Sequence, residues 1–229
     1  RALRTTCASP YSVFWQWEDK TILSVSPERF LKVSYDDHRK PVVETKPIKG
    51  TIPRGQTTIE DKKNSELLMT SEKDRAENLM IVDLLRNDIS RNCETGTVSA
   101  PRLFELESFP NVHHLVSTVT GRLDYRSTPL DLLRDSFPGG SITGAPKKRA
   151  MEIIEELEPV KRSVYCGSIG YLSSNGRMDT NIAIRTVIAS DSKLHCWAGG
   201  GVVNDSDSEK EYRESLDKIN MIINTLEAS

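Results

Sequence analysis

The chain has 229 residues, with 31 Lys or Arg against 33 Asp or Glu, for a net charge of −2. That balance gives no general attraction to nucleic acid or to an anionic membrane, and 37% hydrophobic with 28% charged residues fits a soluble globular chain rather than a disordered one. The apolar runs are only a few residues long, too short to span a bilayer. Cys7, Cys93, Cys166 and Cys196 are scattered without a C-x-x-C pair, which predicts reduced thiols in a cytoplasmic enzyme rather than a zinc ribbon or a disulfide framework. No signal peptide is visible, and the first residue is Arg1 rather than Met, which suits a chain incomplete at its N-terminus.

Strand signals fill the first fifty residues: Tyr11–Trp17, Thr21–Val25, Phe30–Tyr35 and Val42–Ile48, with Asp36-Asp37-His38 as a polar turn. A polar stretch, Pro53–Lys63, leads to apolar residues at helical spacing that predict one long helix over Ser65–Asn87. Cys93–Phe109 reads as turn plus strand and His114–Leu123 as a strand. Helices are predicted at Pro129–Ser136 and Pro146–Leu157, the second opened by a proline suited to a first turn. Strands follow at Gly167–Leu172, Met178–Ala189 and Lys193–Ala198, with a hairpin turn at Ser174-Asn175-Gly176. A last helix covers Ser208–Leu226. This mixture predicts an α+β fold with antiparallel sheets and helices packed outside.

Lys49 stands in Pro47-Ile48-Lys49-Gly50-Thr51, between a proline that stiffens the entry and a glycine that permits close approach to the backbone. Asp74 and Glu77 lie three apart on the long helix, and Glu211 and Glu214 repeat that spacing on the last one. Each pair puts two carboxylates on one face, as a Mg²⁺ site needs, and the same spacing serves a solvated face equally well. Glu28, flanked by apolar residues, suits a proton donor if burial raises its pKa, or an ion pair with Arg29 or a neighbour. The glycine-rich run Phe137–Lys147 and the turn Gly199-Gly200-Gly201 suit a carboxylate ligand or simply a tight turn; Ala145 stands where a nucleotide-binding P-loop requires lysine. His113 and His114 are sent to opposite faces of a strand by alternation, so only one faces a given cleft. Arg185, in a strand otherwise apolar from Ile182 to Val187, is a partner for a substrate carboxylate or a residue of the sheet's solvated face.

Taken in order, these segments resemble the chorismate-utilising enzymes over about Ser9–Leu226. The resemblance rests on Ser26-Pro27-Glu28-Arg29-Phe30, Pro47–Thr51, Asp74–Leu84, His113–Ser117, Phe137–Lys147, Asp179-Thr180 with Ile184-Arg185-Thr186, and Gly199-Gly200-Gly201. It implies an anthranilate synthase-like, chorismate-binding α+β fold in which antiparallel sheets form a sandwich with helices outside. On this resemblance residues 1–229 are the C-terminal part of a single catalytic domain whose N-terminal portion is missing.

On this resemblance the motif lysine argues for the branch that aminates chorismate at C4, leading to para-aminobenzoate and folate. Relatives of the ortho-amino branch usually carry alanine there. The resemblance implies Mg²⁺ as cofactor and ammonia from a glutamine amidotransferase partner. It makes Lys49 the nucleophile at C2, Glu28 the general acid, and His114 the histidine near the departing hydroxyl. Glu77 and Glu214 match the metal ligands, with Asp74 and Glu211 beside them, and Thr143, Tyr171, Arg185, Gly200 and Gly201 match positions around the substrate carboxylates. Attack requires a neutral amine, which a neighbouring cation and partial desolvation favour. Ser9-Pro10-Tyr11 resembles one edge of a tryptophan pocket. The competing readings are anthranilate synthesis on the same scaffold and a non-catalytic fragment that binds a carboxylate ligand or the amidotransferase.

Overall fold

In a computed structural model, which describes residues 1–7, 9–204 and 206–228, the chain opens with α1 (Ala2–Cys7), β1 (Tyr11–Trp17), β2 (Lys20–Ser26), β3 (Arg29–Tyr35), β4 (Pro41–Thr45) and β5 (Ile48–Pro53). Two helices, α2 (Thr58–Thr70) and α3 (Glu72–Ser90), precede the long strands β6 (Ser99–Ser108) and β7 (Val112–Arg122). Then come α4 (Pro129–Ser136), a 3-10 turn at Gly140–Ile142, α5 (Lys147–Leu157), β8 (Gly170–Leu172), β9 (Met178–Asn181), β10 (Thr186–Ser190), β11 (Lys193–Cys196) and α6 (Ser208–Glu227). Among the described residues no disulfide forms, and no helix is long and apolar enough to cross a membrane.

The contacts divide the chain into two compact units. Unit 1 (Arg1–Arg29, Pro159–Ile169 and Thr180–Ser229) carries the sheet β1-β2-β10-β11 with α1 and α6. β2 pairs antiparallel with both β1 and β10. Leu3, Val25, Val187 and Ile222 form a buried cluster there, contributed by α1, β2, β10 and α6. Unit 2 (Phe30–Glu158 and Gly170–Asp179) carries a seven-stranded sheet centred on β7. Val116 pairs with Ile48 of β5 and with Glu105 of β6, while Thr120 pairs with Glu44 of β4 and Ser99 of β6. A strand has two edges, so β4 and β5 lie end to end along one edge of β7 and β6 occupies the other. Helix α3 closes over this sheet with Asn78, Ile81, Val82, Leu85 and Ile89, a stripe at the three-and-four spacing of a helix face.

Three elements differ from the sequence expectation, each for a local reason. The strand read over Val42–Ile48 is two strands, interrupted at Lys46-Pro47. Proline has no N–H to give the ladder, and the Pro47 carbonyl instead accepts from the Ser117 amide at 3.2 Å. The helix read over Ser65–Asn87 is also two, broken at Ser71. There ψ is 107°, the hydroxyl accepts the Asp74 N–H at 3.3 Å, and the amide donates to Leu68 at 3.3 Å. One serine thus ends α2 and caps α3. The polar stretch Pro53–Lys63 already contains the start of α2, capped by Thr57. The strand read over Met178–Ala189 is β9 and β10, separated by a segment in which Arg185 has φ +50°. The turn at Ser174-Asn175-Gly176 joins β8 to β9 as the sequence predicts, with Gly176 at φ +81°.

Candidate functional site

In unit 2 the lysine motif sits on a β-bulge. Ile48 pairs with Val116 and Thr51 with His114, so three steps along β5 match two along β7, and the extra residue falls at Lys49-Gly50. Gly50 has φ +86°, and a methyl group added there would lie 2.8 Å from Leu68 Cδ1 and 3.0 Å from Asp74 Cγ. Only glycine fits that backbone and that closeness. The bulge aims Lys49 at α3, where its Nζ lies 3.7 Å from Glu77 Oε2. Lys73, one turn earlier on α3, approaches the other oxygen at 3.9 Å. The Ser71 cap fixes where this helix begins, so Asp74 abuts Gly50 and Glu77 meets Lys49. The two acids share one face of α3, as their spacing predicts.

His114 is buried, and its Nδ1 lies 2.8 Å from the Thr51 hydroxyl, with the Phe109 ring edge-on at 5.4 Å. His113 is equally buried on the other face of β7, where Nδ1 meets the Ser108 hydroxyl at 2.8 Å and Nε2 meets Asp61 at 3.0 Å. Thr143 follows the 3-10 turn and donates its hydroxyl to the Gly139 carbonyl at 3.0 Å. Tyr171 on β8 is largely exposed. Asn78, one position beyond Glu77, accepts from Ser117 at 2.5 Å and donates to the Leu115 carbonyl at 3.4 Å, tying α3 to β7. A cleft of about 450 Å³ also opens in this unit beside Met80, Asp88 and Arg91 and the end of the glycine-rich run, Ala145, Pro146 and Lys147; Lys49, Asp74, Glu77, His114, Thr143 and Tyr171 do not line it.

Unit 1 holds the other selected residues. Glu28 is 7% exposed. Its backbone is gripped by Ser26, whose hydroxyl accepts the Glu28 N–H at 3.2 Å, and by Ile182, whose N–H donates to the Glu28 carbonyl at 3.1 Å. Arg29 stacks over the Tyr11 ring at 5.1 Å. Arg185 lies between β9 and β10 rather than within a strand, and its carbonyl accepts from Val25 at 3.1 Å. Burial holds its guanidinium below the ordinary arginine pKa, while the nearby Cys7 and Glu28 pull the other way.

Glu211 and Glu214 stand on α6, whose first turn is capped by Asp207. A methyl group added at Gly200 would lie 3.0 Å from Glu211 Oε2 and 3.9 Å from Glu214 Oε1, so both carboxylates come up to this turn's backbone. Gly201 follows in the same exposed turn. Ser206 donates to Glu211 at 2.7 Å. Lys218, one turn beyond Glu214, pairs with it at 2.6 Å and donates to the Gly199 carbonyl at 3.2 Å. Lys218 and Lys73 were legible as charge partners four residues from Glu214 and Glu77; the roles of Ser206 and Asp61 have no sequence signal of that kind.

Among the described residues no three His, Cys, Asp or Glu side chains converge on one point. Each unit instead offers one carboxylate pair, with a lysine beside one member. Carboxylate oxygens are the donors Mg²⁺ prefers, and one or two of them with water and substrate suffice for it. The absence of thiol or imidazole from either pair disfavours zinc or copper. The residues present fit Mg²⁺.

The chain belongs to the chorismate binding enzyme family, whose model matches residues 1–224. It is 56% identical to aminodeoxychorismate synthase component 1 of Salmonella typhimurium over 96% of its own length and 47% of that protein's. The corresponding protein of Klebsiella aerogenes is 53% identical, over 100% of this chain and 49% of the relative. Among solved structures, anthranilate synthase component I of Streptococcus pneumoniae superposes with a TM-score of 0.83 at 42% identity, covering 96% of this chain and 47% of that one. The chain therefore spans about half the length of the curated relatives it matches.

Proposed function

We propose that this chain carries the amination of chorismate at C4 to 4-amino-4-deoxychorismate, the step toward para-aminobenzoate and folate, by the synthase component of aminodeoxychorismate synthase. The observation that carries this reading is Lys49 on its bulge, 3.7 Å from Glu77, because a lysine so aimed is what a covalent route requires. The 53–56% identity to proteins named for that activity supports it.

In this reading the Lys49 amine forms a bond to C2 of the ring. The C1=C2 pair shifts to C1–C6, the C5=C6 pair shifts to C4–C5, and the C4 hydroxyl departs. Glu28 delivers the proton that lets it leave as water, since hydroxide is a poor leaving group. Ammonia then bonds to C4 and loses a proton, the two double bonds return to C5=C6 and C1=C2, and the C2–N bond to Lys49 breaks, restoring the amine. Arg185, Thr143, Tyr171 and the amides of Gly200 and Gly201 bind and orient the substrate carboxylates, Arg185 as the forked cation suited to them. His114 stands by the departing hydroxyl. Mg²⁺, when bound by Glu77 and Glu214 with Asp74 and Glu211 beside them, supplies positive charge for a substrate carboxylate. Ammonia comes from a glutamine amidotransferase subunit, and the reaction belongs in the cytoplasm.

The solved relative named anthranilate synthase gives a second reading on the same scaffold, ortho-amination with release of anthranilate. Product identification decides between them. Chorismate, Mg²⁺ and ammonium are incubated with the protein, and the mixture is separated and weighed by mass spectrometry. Aminodeoxychorismate, convertible to para-aminobenzoate by added lyase, is expected. Anthranilate as the main product would transfer the chain to the ortho branch.

A further inference from the structure

His113 is buried to 3% exposure, so both ring nitrogens need partners within the fold. Asp61 and Ser108 supply them, at 3.0 and 2.8 Å. Asp61 is in turn gripped by Arg54, with Nε on one carboxylate oxygen and Nη2 on the other, both at 2.7 Å, and by the Gly55 amide at 2.9 Å. That two-pronged guanidinium contact is the strong form of a carboxylate pair. It holds the Asp61 carboxyl well below the usual carboxylate range, helped by the Gly55 amide and His113. An ionised carboxylate only accepts hydrogen bonds, so His113 donates from Nε2.

The cluster spreads to the supports of His114. Arg54 immediately follows β5, three residues after Thr51, whose hydroxyl meets His114 Nδ1. Its Nη1 donates to the Phe109 carbonyl and its amide to the Asn111 carbonyl, each at 3.1 Å. Phe109 presents its ring edge to His114. Thus the hydroxyl and the ring that flank His114 both hang from segments that Arg54 and Asp61 tie together.

We propose that Asp61 is a positioning residue for His114, acting through Arg54 and His113. The charge cluster on the helix side of β7 locks the end of β5 and the β6–β7 turn, and so fixes the imidazole on the opposite face. Ser108 and His113 together with Asp61 superficially match a hydrolytic triad, but the imidazole is buried to 3% exposure and Asp61 is also held on both oxygens by Arg54, an arrangement that suits a structural network.

The test uses Asp61→Asn, which keeps the shape and removes the charge, in protein labelled with nitrogen-15 at histidine. Long-range proton–nitrogen spectra report each imidazole's tautomer and environment without any substrate. The His113 and His114 signals are expected to move while those of His38 and His195 stay in place. With chorismate, Mg²⁺ and ammonium, kcat is expected to fall about tenfold or more with KM for chorismate within about twofold, the pattern of a lost alignment rather than lost binding. An unmoved His114 signal overturns the proposal, whatever happens to His113 or to thermal stability. If Asp61→Asn does not fold, Arg54→Lys, which keeps the charge and loses the fork, is read in the same way. The catalytic arm rests on the proposed amination. The spectral arm does not, so absence of turnover in the parent protein, with a His114 signal displaced in the variant, would count against that reaction and not against the positioning role.

Discussion

Lys49 Nζ lies 3.7 Å from Glu77 Oε2, with 20% and 17% of the two side chains exposed. This pair joins the proposed nucleophile to a proposed metal ligand, so a variant at either position perturbs both unless charge and chemistry are separated. Lys49→Arg separates them: it keeps a cation for Glu77 but offers no nucleophilic amine. Lys49→Ala removes both. Amination is expected to drop by about a thousandfold or more in each variant, the scale seen when a covalent nucleophile is lost. A trap of the covalent adduct by intact-protein mass spectrometry should show chorismate-derived mass on the parent protein alone. Substantial turnover by Lys49→Arg would make the lysine an electrostatic group and remove the covalent step.

Magnesium binding offers a check that does not pass through turnover. Glu77 and Glu214 each have a lysine close by, Lys49 and Lys218, the latter at 2.6 Å. An arriving cation competes with these ammonium groups for the same oxygens. Calorimetric titration should give affinity weakened by about tenfold or more in Glu77→Gln and in Glu214→Gln, with a smaller change in Asp74→Asn. Lys218→Met should bind Mg²⁺ at least as tightly as the parent, since it removes the competitor. Unchanged affinity in both glutamine variants would remove these acids from the ligand set.

Gly50→Ala tests the bulge. The substitution places a side chain at φ +86° and a methyl group 2.8 Å from Leu68 Cδ1. The left-handed backbone alone costs about 1–2 kcal/mol, and the contact adds to it. Urea denaturation should show a loss of about 2 kcal/mol or more. The same change would re-aim Lys49, so activity should fall even where the protein is still folded. A variant of parental stability would mean that the backbone relaxes there without strain.

Local chemistry explains which elements were legible in the sequence. Strands with alternating or β-branched runs, such as Tyr11–Trp17, and the Ser174-Asn175-Gly176 turn carry their own signals. The acid pairs were visible because residues three apart on a helix share a face wherever that helix is packed. The apolar spacing continues across Ser71 and hides the break there, although Ser71 followed three residues later by Asp74 is a capping pattern. The apolar neighbours of Arg185 predict a strand there, and nothing in Ile184-Arg185-Thr186 announces its positive φ. The Arg54–Asp61–His113 cluster joins positions 52 residues apart. Such a contact follows from how β7 and α2 pack, not from any local pattern.

Cys93 gives a prediction with a definite sign. It follows α3, is 7% exposed, and its Sγ lies where a methyl group on Gly121 would be 2.7 Å away. Burial, with the carboxylates of Asp124 and Glu94 adding to it, pushes its thiol from 9.0 up to about 12. The folded state therefore holds the proton more tightly than the unfolded chain. Its contribution to stability is complete below pH 9 and is lost progressively as pH rises from there toward 12. Two measurements follow from the one cause. In the native protein at about pH 8, iodoacetamide should leave Cys93 unmodified, because the thiolate is the reacting form and the site is closed; peptide mapping after denaturation should find it alkylated. Urea midpoints taken at about pH 7.5 and about pH 10.5 should fall further for the parent than for Cys93→Ala, since the variant lacks the titrating thiol that drives this part of the loss. An equal fall in both would assign the alkaline loss to other groups, and rapid native-state alkylation at Cys93 would mean that the end of α3 opens to solvent.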